Sequence, residues 1–195
     1  MISTAYVIGF AIVWQLMWIV VVGGATSDWH VITTGAAFLA LTAHCLLTRI
    51  MLWEQVTTIG WALAFGVIAD TSLAISGMVS YQHDLLPAPA APMWILALWA
   101  WFGCSLHLPL RFLRRKLWLG IPLGALSGAA AYYGGVKLGS IQIDSIGGYA
   151  AVAMVYAIGV PTLAWLAGKP PADAQEREQD SDSEQASGEE TDRAA

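Results

Sequence analysis

The sequence is poor in charged residues. Asp, Glu, Lys and Arg make up 12% of its 195 residues, whereas hydrophobic residues make up 57% and ten residues are tryptophan. A soluble domain of this size cannot bury that much apolar surface. The composition therefore excludes an ordinary soluble domain and predicts a membrane protein.

The sequence also lacks the short motifs of common catalytic and nucleotide-binding sites. It contains no Gly-rich phosphate loop, no GxSxG elbow, no paired-carboxylate motif and no CxxC, HxxxH or HExxH pattern. Its two halves show no internal repeat, which argues against an inverted-repeat transporter. The informative features are therefore the membrane-spanning pattern and a few isolated polar residues.

Acidic residues are concentrated at the end of the chain. Residues 168–195 hold nine of the 14 acidic residues and three of the nine basic ones, so the first 167 residues carry five acids and six bases. This tail has an early Pro pair and no apolar periodicity, and it cannot bury enough surface to offset the entropy of ordering. We expect a disordered, solvated tail, with an interaction arm as the alternative.

Six apolar windows are each long enough, at about 20 residues, to cross a bilayer core about 30 Å thick. They run over residues 5–24, 29–48, 56–78, 93–110, 117–136 and 146–167. The sequence therefore predicts an all-α polytopic membrane protein, a six-transmembrane-helix bundle in residues 1–167 followed by the acidic tail. The first window lacks the basic start and cleavage site of a signal peptide, so we expect the mature protein to keep it.

Basic residues predict the orientation of the bundle. Those after windows two, four and six are Arg49, Arg111, Arg114, Arg115, Lys116 and Lys169. The opposite side has only Lys137, so the positive-inside rule places both termini and the "RFLRRK" turn in the cytoplasm. That turn could also bind anionic lipid, but it is too short to indicate nucleic-acid binding.

Tryptophans are expected in two interfacial belts that flank the apolar windows. In this orientation Trp29 and Trp94 lie at the outer interface, and Trp53, Trp118 and Trp165 lie at the inner one.

Asp70 lies within the third window, where a central Asp costs about 2.5–3.5 kcal/mol on an insertion scale. Ala62, Gly66 and Ala74 share its helical face, and such strips of small residues are where membrane helices pack closely. We therefore expect Asp70 to face protein. It is either a functional group (proton relay, ion ligand or catalytic acid) or a neutral structural acid that joins helices.

Window five offers a matching strip at steps of four residues. The strip consists of Gly120, Gly124, Gly128 and Tyr132. Because Tyr132 and Asp70 have similar predicted depths, we expect windows three and five to pack along their strips. Asp70 would then hydrogen-bond to Tyr132 or Tyr133, or pair with Lys137. Gln15 is a further polar residue in the mid-membrane zone, where an interhelical contact is favoured over a ligand contact.

A second polar layer is expected near the cytoplasmic ends of windows two and four. It contains His44, Cys45, Cys104, Ser105 and His107. His and Cys are common zinc and copper ligands, but His44 and Cys45 point about 100° apart on a helix. The spacing therefore favours packed, hydrogen-bonded histidines over a metal site. We expect reduced thiols, no cofactor and no metal.

Four stretches of the sequence carry a family resemblance. They are "FAIVWQLMWIVVVGGA", "GVIADTSLAISGMVSY", "APMWILALWAWFGCSLHLPLRFL" and "GALSGAAAYYGGVKLG". In this order they resemble the bacterial membrane family called domain of unknown function 2878, over nearly the whole chain except the tail. The resemblance implies a small bacterial inner-membrane protein. It also implies a link to lipid metabolism, because such proteins are often encoded near fatty-acyl-modifying enzymes.

The resemblance also carries expectations for single residues. The family's acidic residue in window three corresponds to Asp70, and its arginine after window four corresponds to Arg111. The family's Asn-His pair at the end of window four does not match, because this chain has His107 followed by Leu108.

Three functions fit these residues. The first is an accessory or scaffold protein that acts with membrane lipids or with a lipid-modifying partner enzyme. The second is a proton-coupled carrier or channel for small solutes, in which Asp70 titrates. The third is an intramembrane enzyme that uses His44 and His107, with Arg111 holding a lipid headgroup. No nucleic-acid partner is expected, and the oligomeric state is left open.

Overall fold

The chain folds into six α-helices, seen in a computed structural model that describes residues 3–48, 52–82 and 86–168. The helices are α1 (Thr4–Gly24), α2 (His30–Thr48), α3 (Leu52–Ile75), α4 (Met93–Ser105), α5 (Leu117–Lys137) and α6 (Ile146–Ala167). The predicted all-α, six-helix fold is confirmed. The acidic tail lies outside the described residues from position 169 onwards, so its disorder stays a prediction.

Shorter elements mark the two ends of the bundle. A 3₁₀ helix (Arg111–Arg114) lies between α4 and α5. Two strands, β1 (Ser80–Tyr81) and β2 (Ile141–Gln142), pair antiparallel and join the α3–α4 connection to the α5–α6 connection. This strand pair was not predicted. We call the end of the bundle that carries it the β end, and the opposite end the 3₁₀ end.

Among the residues that the structure describes, three helices are long and apolar enough to cross a membrane, namely α1, α3 and α6. Their 21, 24 and 22 residues span about 32, 36 and 33 Å at 1.5 Å per residue, which matches a hydrocarbon core of about 30 Å. Their large apolar side chains point outwards, as Ile12 and Leu16 do on α1 and Ile158 does on α6. An apolar exterior of this kind indicates a membrane protein. The six crossings and their orientation stay predictions.

Helix α4 lies at the centre of the bundle. Ten of its 13 residues are buried, and it packs against α1, α2 and α3. It ends at Ser105, so the prediction of a span that continues to residue 110 is wrong. Pro109 explains the difference, because proline cannot donate a helical hydrogen bond and disfavours helical geometry in the residue before it.

The tryptophans do not all lie where a belt predicts them. Trp29, Trp53, Trp118 and Trp165 are exposed, as interfacial residues should be. Trp94 is only 2% exposed, so it does not belong to an exposed tryptophan belt, and its membrane depth stays a prediction. Its indole N–H donates to the Gln82 carbonyl at 3.2 Å. This contact directs the ring into the protein.

The strips of small residues pack against partners other than those predicted. The α5 glycines meet α6, where Gly120 faces Pro161 and Gly124 and Gly128 face Tyr156. On α3, Gly66 lies against the Trp99 ring of α4. The predicted α3–α5 seam is therefore wrong. A glycine strip specifies close approach of a neighbouring backbone, and it does not specify which helix approaches.

Two glycines with positive φ shape the β end. Gly77 follows α3 with a φ of 69°, and Gly139 follows α5 with a φ of 80°. Side-chain-bearing residues rarely adopt this left-handed backbone, which glycine adopts at little steric cost. Both helices can therefore stop abruptly, and the two loops can return across the bundle end to form the β1–β2 pair.

Candidate functional site

Asp70 accepts hydrogen bonds from three other elements. It lies five residues before the end of α3, and its side chain is 1% exposed. The Trp99 indole N–H of α4 donates to Oδ2 at 2.6 Å. The Tyr81 hydroxyl of β1 donates to Oδ1 at 2.8 Å, and the Tyr132 hydroxyl of α5 also donates to Oδ1. We call these four residues the Asp70 cluster, which ties α3 to α4, α5 and β1.

Aromatic rings enclose the Asp70 cluster. Trp99 stacks on Tyr156 of α6 with ring centroids 5.0 Å apart, and Tyr156 meets Tyr132 edge-on at 5.8 Å. Gly66 allows the Trp99 ring to approach, because a Cβ at that position would overlap the indole. Because Asp70 is buried, the three donors replace the hydration that a carboxyl group loses on burial.

The three donors explain why α3 tolerates an aspartate. A hydrogen bond contributes about 0.5–1.5 kcal/mol to a neutral acceptor and about 1.5–3 kcal/mol to a charged one, so three donors together can offset the insertion cost of about 2.5–3.5 kcal/mol. Burial and the neighbouring Asp70 raise the pKa of Tyr81, which keeps the hydroxyl protonated and able to donate. The arrangement is a carboxyl group stabilised by fixed donors.

Of the three partners expected for Asp70, the structure brings Tyr132 to it. Tyr133 is 54% exposed and contacts Tyr149, and the Lys137 ammonium lies over the Tyr133 ring, 5.3 Å from its centroid. The alternatives of Tyr133 and Lys137 as partners are therefore wrong. The reason is geometric, since Tyr133 follows Tyr132 by about 100° around α5.

Tyr81 and Trp99 were not predicted as partners of Asp70. Tyr81 reaches Asp70 only because the chain reverses at Gly77 and enters β1, which a helical pattern does not reveal. For Trp99 a signal was present. A buried indole N–H needs an acceptor, and Trp99 lies in a nearly uninterrupted apolar window where acceptors are rare.

In the inner polar layer, Gln55 joins the two cysteines. The thiols of Cys45 and Cys104 both point to Gln55 Oε1, at 3.7 and 3.1 Å. Both cysteines are free and buried. Gln55 was not predicted, although it is 1% exposed and lies on the same face of α3 as Thr58 and Ala62. The contact links α2, α3 and α4 near the 3₁₀ end.

His107 lies in the turn after α4, between Thr58 and Arg114. Its Nε2 is 2.8 Å from Thr58 Oγ1, and its Nδ1 is 3.1 Å from the Arg114 guanidinium. Arginine can only donate, so Nδ1 accepts and the ring proton is on Nε2, which donates to Thr58. Thr58 in turn donates to the Glu54 carbonyl at 2.8 Å. His107 thus anchors the 3₁₀ helix to α3.

His44 and Arg111, the other residues of the predicted inner site, have surroundings different from those of His107. The Tyr6 hydroxyl is 3.2 Å from His44 Nδ1, and the Phe10 ring is 4.9 Å from the His44 ring. Arg111 is exposed, and Arg114 contacts His107 instead. Within the described ranges, no group of three or more His, Cys, Asp or Glu side chains could hold a metal ion.

A cavity of about 610 Å³ lies between α1, α4, α5 and α6, within the range of about 300–1,000 Å³ for ligand pockets. Its wall is mainly apolar and aromatic, and includes Trp14, Trp18 and Phe102. Two donors of the Asp70 cluster, Trp99 and Tyr132, also line it. The Asp70 cluster therefore forms part of the cavity wall.

Comparison with protein families gives a match over most of the chain. The family model described as "Protein of unknown function (DUF2878)" matches residues 7–162, which include most of every helix. No curated protein and no solved structure matches the chain.

Proposed function

The chain belongs to the DUF2878 family, and we propose that it binds a lipid-like molecule from the bilayer in its cavity. In this proposal it serves as an accessory or scaffold protein in membrane-lipid metabolism, alongside a lipid-modifying enzyme. The observation that carries the proposal is the position of the cavity's opening between α1 and α5.

Exposed residues mark this opening. Gln15 of α1 and Leu123, Ser127 and Ala130 of α5 all line the cavity and are exposed. The helix surfaces beside the opening carry exposed apolar residues such as Leu16. A cavity that opens on an apolar surface receives its occupant from hydrocarbon. Gln15 supplies a polar group at the rim of the cavity. Because its side chain is exposed there, we propose a contact with the ligand in place of the interhelical contact expected from the sequence.

The proposed setting is the bacterial inner membrane, with both termini in the cytoplasm. The basic "RFLRRK" turn at the 3₁₀ end supports this orientation through the positive-inside rule. The short apolar helix α4, most of which is buried, supports an additional crossing inside the bundle, because a helix surrounded by protein need not match the full hydrocarbon thickness.

Native mass spectrometry of the purified protein tests the proposal. Ala131 lines the cavity, so the indole of Ala131→Trp takes up part of the space available to an occupant, whereas the control Ala150→Trp adds the same ring on an exposed part of α6. We expect bound lipid on the wild type and on Ala150→Trp, and its loss from Ala131→Trp at an unchanged melting temperature. Equal lipid retention by the two variants would contradict the proposal.

A second candidate is a proton-coupled carrier that uses Asp70. The contact that favours it is the wall shared by the Asp70 cluster and the cavity through Trp99 and Tyr132. A carrier predicts that Asp70→Asn abolishes proton-linked uptake into proteoliposomes while the protein stays folded. Uptake unchanged by Asp70→Asn would reject the carrier and leave the lipid-binding proposal standing.

A further inference from the structure

We propose that the occupant of the cavity is an anionic amphiphile of the bilayer. Its apolar chain fills the cavity, and its phosphate or carboxylate head binds the basic turn Arg111–Lys116. This inference rests on the proposed function and names the ligand class of the same site.

The cavity extends to the basic turn. Leu110, Phe112 and Leu113 line its 3₁₀ end, and these residues alternate in sequence with Arg111 and Arg114. Phe112 is both exposed and part of the wall. An amphiphile whose apolar chain lies in the cavity can therefore place its polar head beside these basic side chains.

Positive charge is concentrated at this point. The described residues include five basic side chains, and four of them lie in the turn: Arg111, Arg114, Arg115 and Lys116. Arg114 is engaged by His107. The side chains of Arg111, Arg115 and Lys116 are exposed and have no hydrogen bond or ion pair to the described part of the chain. Three cations are thus available to an anion.

The turn is held in place by the protein. Leu113 is 2% exposed, and Arg114 is fixed through His107 to Thr58 of α3. Arginine binds phosphate and carboxylate through two parallel N–H donors, and a fixed backbone reduces the entropy lost on binding. The positive-inside rule explains the sign of the turn's charge. It does not explain why the charge adjoins a cavity.

The test measures binding to detergent-purified full-length protein by native mass spectrometry. The probes are phosphatidylglycerol, phosphatidylcholine and soluble glycerol phosphate. The test variant is Arg111→Gln/Arg115→Gln/Lys116→Gln, and the matched control is Lys137→Gln at the other end of α5. Melting temperatures verify that each variant is folded.

We expect the wild type and Lys137→Gln to bind phosphatidylglycerol more tightly than phosphatidylcholine. The triple variant should bind phosphatidylglycerol on the order of 100-fold more weakly, at about fivefold per cation. Phosphatidylcholine affinity should be unchanged in the triple variant.

The outcomes separate this inference from the proposed function. If both lipids bind equally and Ala131→Trp weakens both, the headgroup assignment is wrong and the lipid site stands. If neither lipid binds the wild type, both proposals fail. If glycerol phosphate binds as tightly as phosphatidylglycerol, the ligand is a soluble anion, and the amphiphile is rejected.

Discussion

At the scale of single residues, Asp70 shows how a costly side chain is accommodated in an apolar helix. Its two oxygens accept from an indole and two phenol hydroxyls on three other elements. Each donor is buried or half-buried, and a buried donor left without an acceptor costs free energy. The carboxyl group and its donors therefore depend on one another, and removing both acceptor oxygens should cost more than replacing the carboxyl group with an amide.

Substitutions at Asp70 test this dependence. Asp70→Leu removes both acceptors and should lower the free energy of unfolding by several kcal/mol, at about 1–3 kcal/mol for each donor left unpaired. Asp70→Asn should cost less, because its amide oxygen can accept from Trp99 and its NH₂ can donate to the tyrosine hydroxyls. Denaturation in mixed micelles measures both variants, with the exposed Asp28 substituted in the same way as control. Equal stability of Asp70→Leu and wild type would show that the cluster is not stabilising.

The Thr58 hydroxyl has a similar role at the 3₁₀ end. Thr58→Val keeps the side-chain shape but leaves the buried His107 Nε2–H without its acceptor. We expect a loss of about 1–3 kcal/mol in the free energy of unfolding. Thr57→Val on the exposed face of α3 is the matched control, with an expected change within about 0.5 kcal/mol. A loss no larger than that of the control would mean that His107 does not depend on Thr58.

Part of each polar site could be predicted from the sequence. Asp70 and Tyr132 could be paired, since helical spacing and depth follow from a rise of 1.5 Å per residue. Tyr81 and Gln55 could not be predicted, for different reasons. Tyr81 arrives through a loop reversal, and Gln55 precedes the predicted start of its span at residue 56, although α3 already includes it.

At the scale of helices, the α5–α6 contact depends on the missing side chain of Gly124. A Cβ there would be 2.9 Å from the Tyr156 carbonyl carbon, which is part of the backbone and cannot rotate away. A Cβ added at Gly60 of α3 would meet nothing within 4 Å. The two glycines should therefore respond oppositely to the same substitution.

Gly124→Ala should destabilise the protein by about 1–3 kcal/mol, because the overlap forces α5 and α6 apart. Gly60→Ala should be neutral or stabilising by up to about 1 kcal/mol, since alanine favours the helix. Thermal unfolding in a single detergent compares them. A Gly124→Ala variant as stable as Gly60→Ala would rule out the close α5–α6 contact.

The sequence predicted helix number and the close-packing strips, but not which helices meet. Hydrophobic windows and glycine spacing are local features of one helix, whereas the choice of partner depends on shapes contributed by both. Tyr156 illustrates this, because its ring and backbone fit the α5 strip although nothing in its own sequence context marks it.

At the scale of the whole molecule, the protein is apolar outside and polar at selected points within. Exposed Ile, Leu and Val side chains cover its helices, while Asp70, Gln55 and His107 are buried. This distribution suits hydrocarbon as the solvent. The overall composition was sufficient to predict this apolar exterior. The cavity could not be predicted, because it depends on the distance between α1 and α5, which no single segment of the sequence determines.

Cysteine accessibility in intact cells tests the proposed orientation. A reporter in the α1–α2 turn, Asp28→Cys, should react with a membrane-impermeant maleimide, and Lys116→Cys should react only after permeabilisation. The native Cys45 and Cys104 are buried and should contribute little background. Labelling of Lys116→Cys in intact cells, with Asp28→Cys protected, would show that the orientation is opposite to the one proposed.

The most direct test of lipid binding is an electron cryomicroscopy map of the full-length protein in nanodiscs that contain phosphatidylglycerol. We predict chain-shaped density in the cavity between α1 and α5, with its head beside Arg111 and Lys116. A well-resolved map with the cavity closed by side chains, or open and without ordered lipid, would contradict the account.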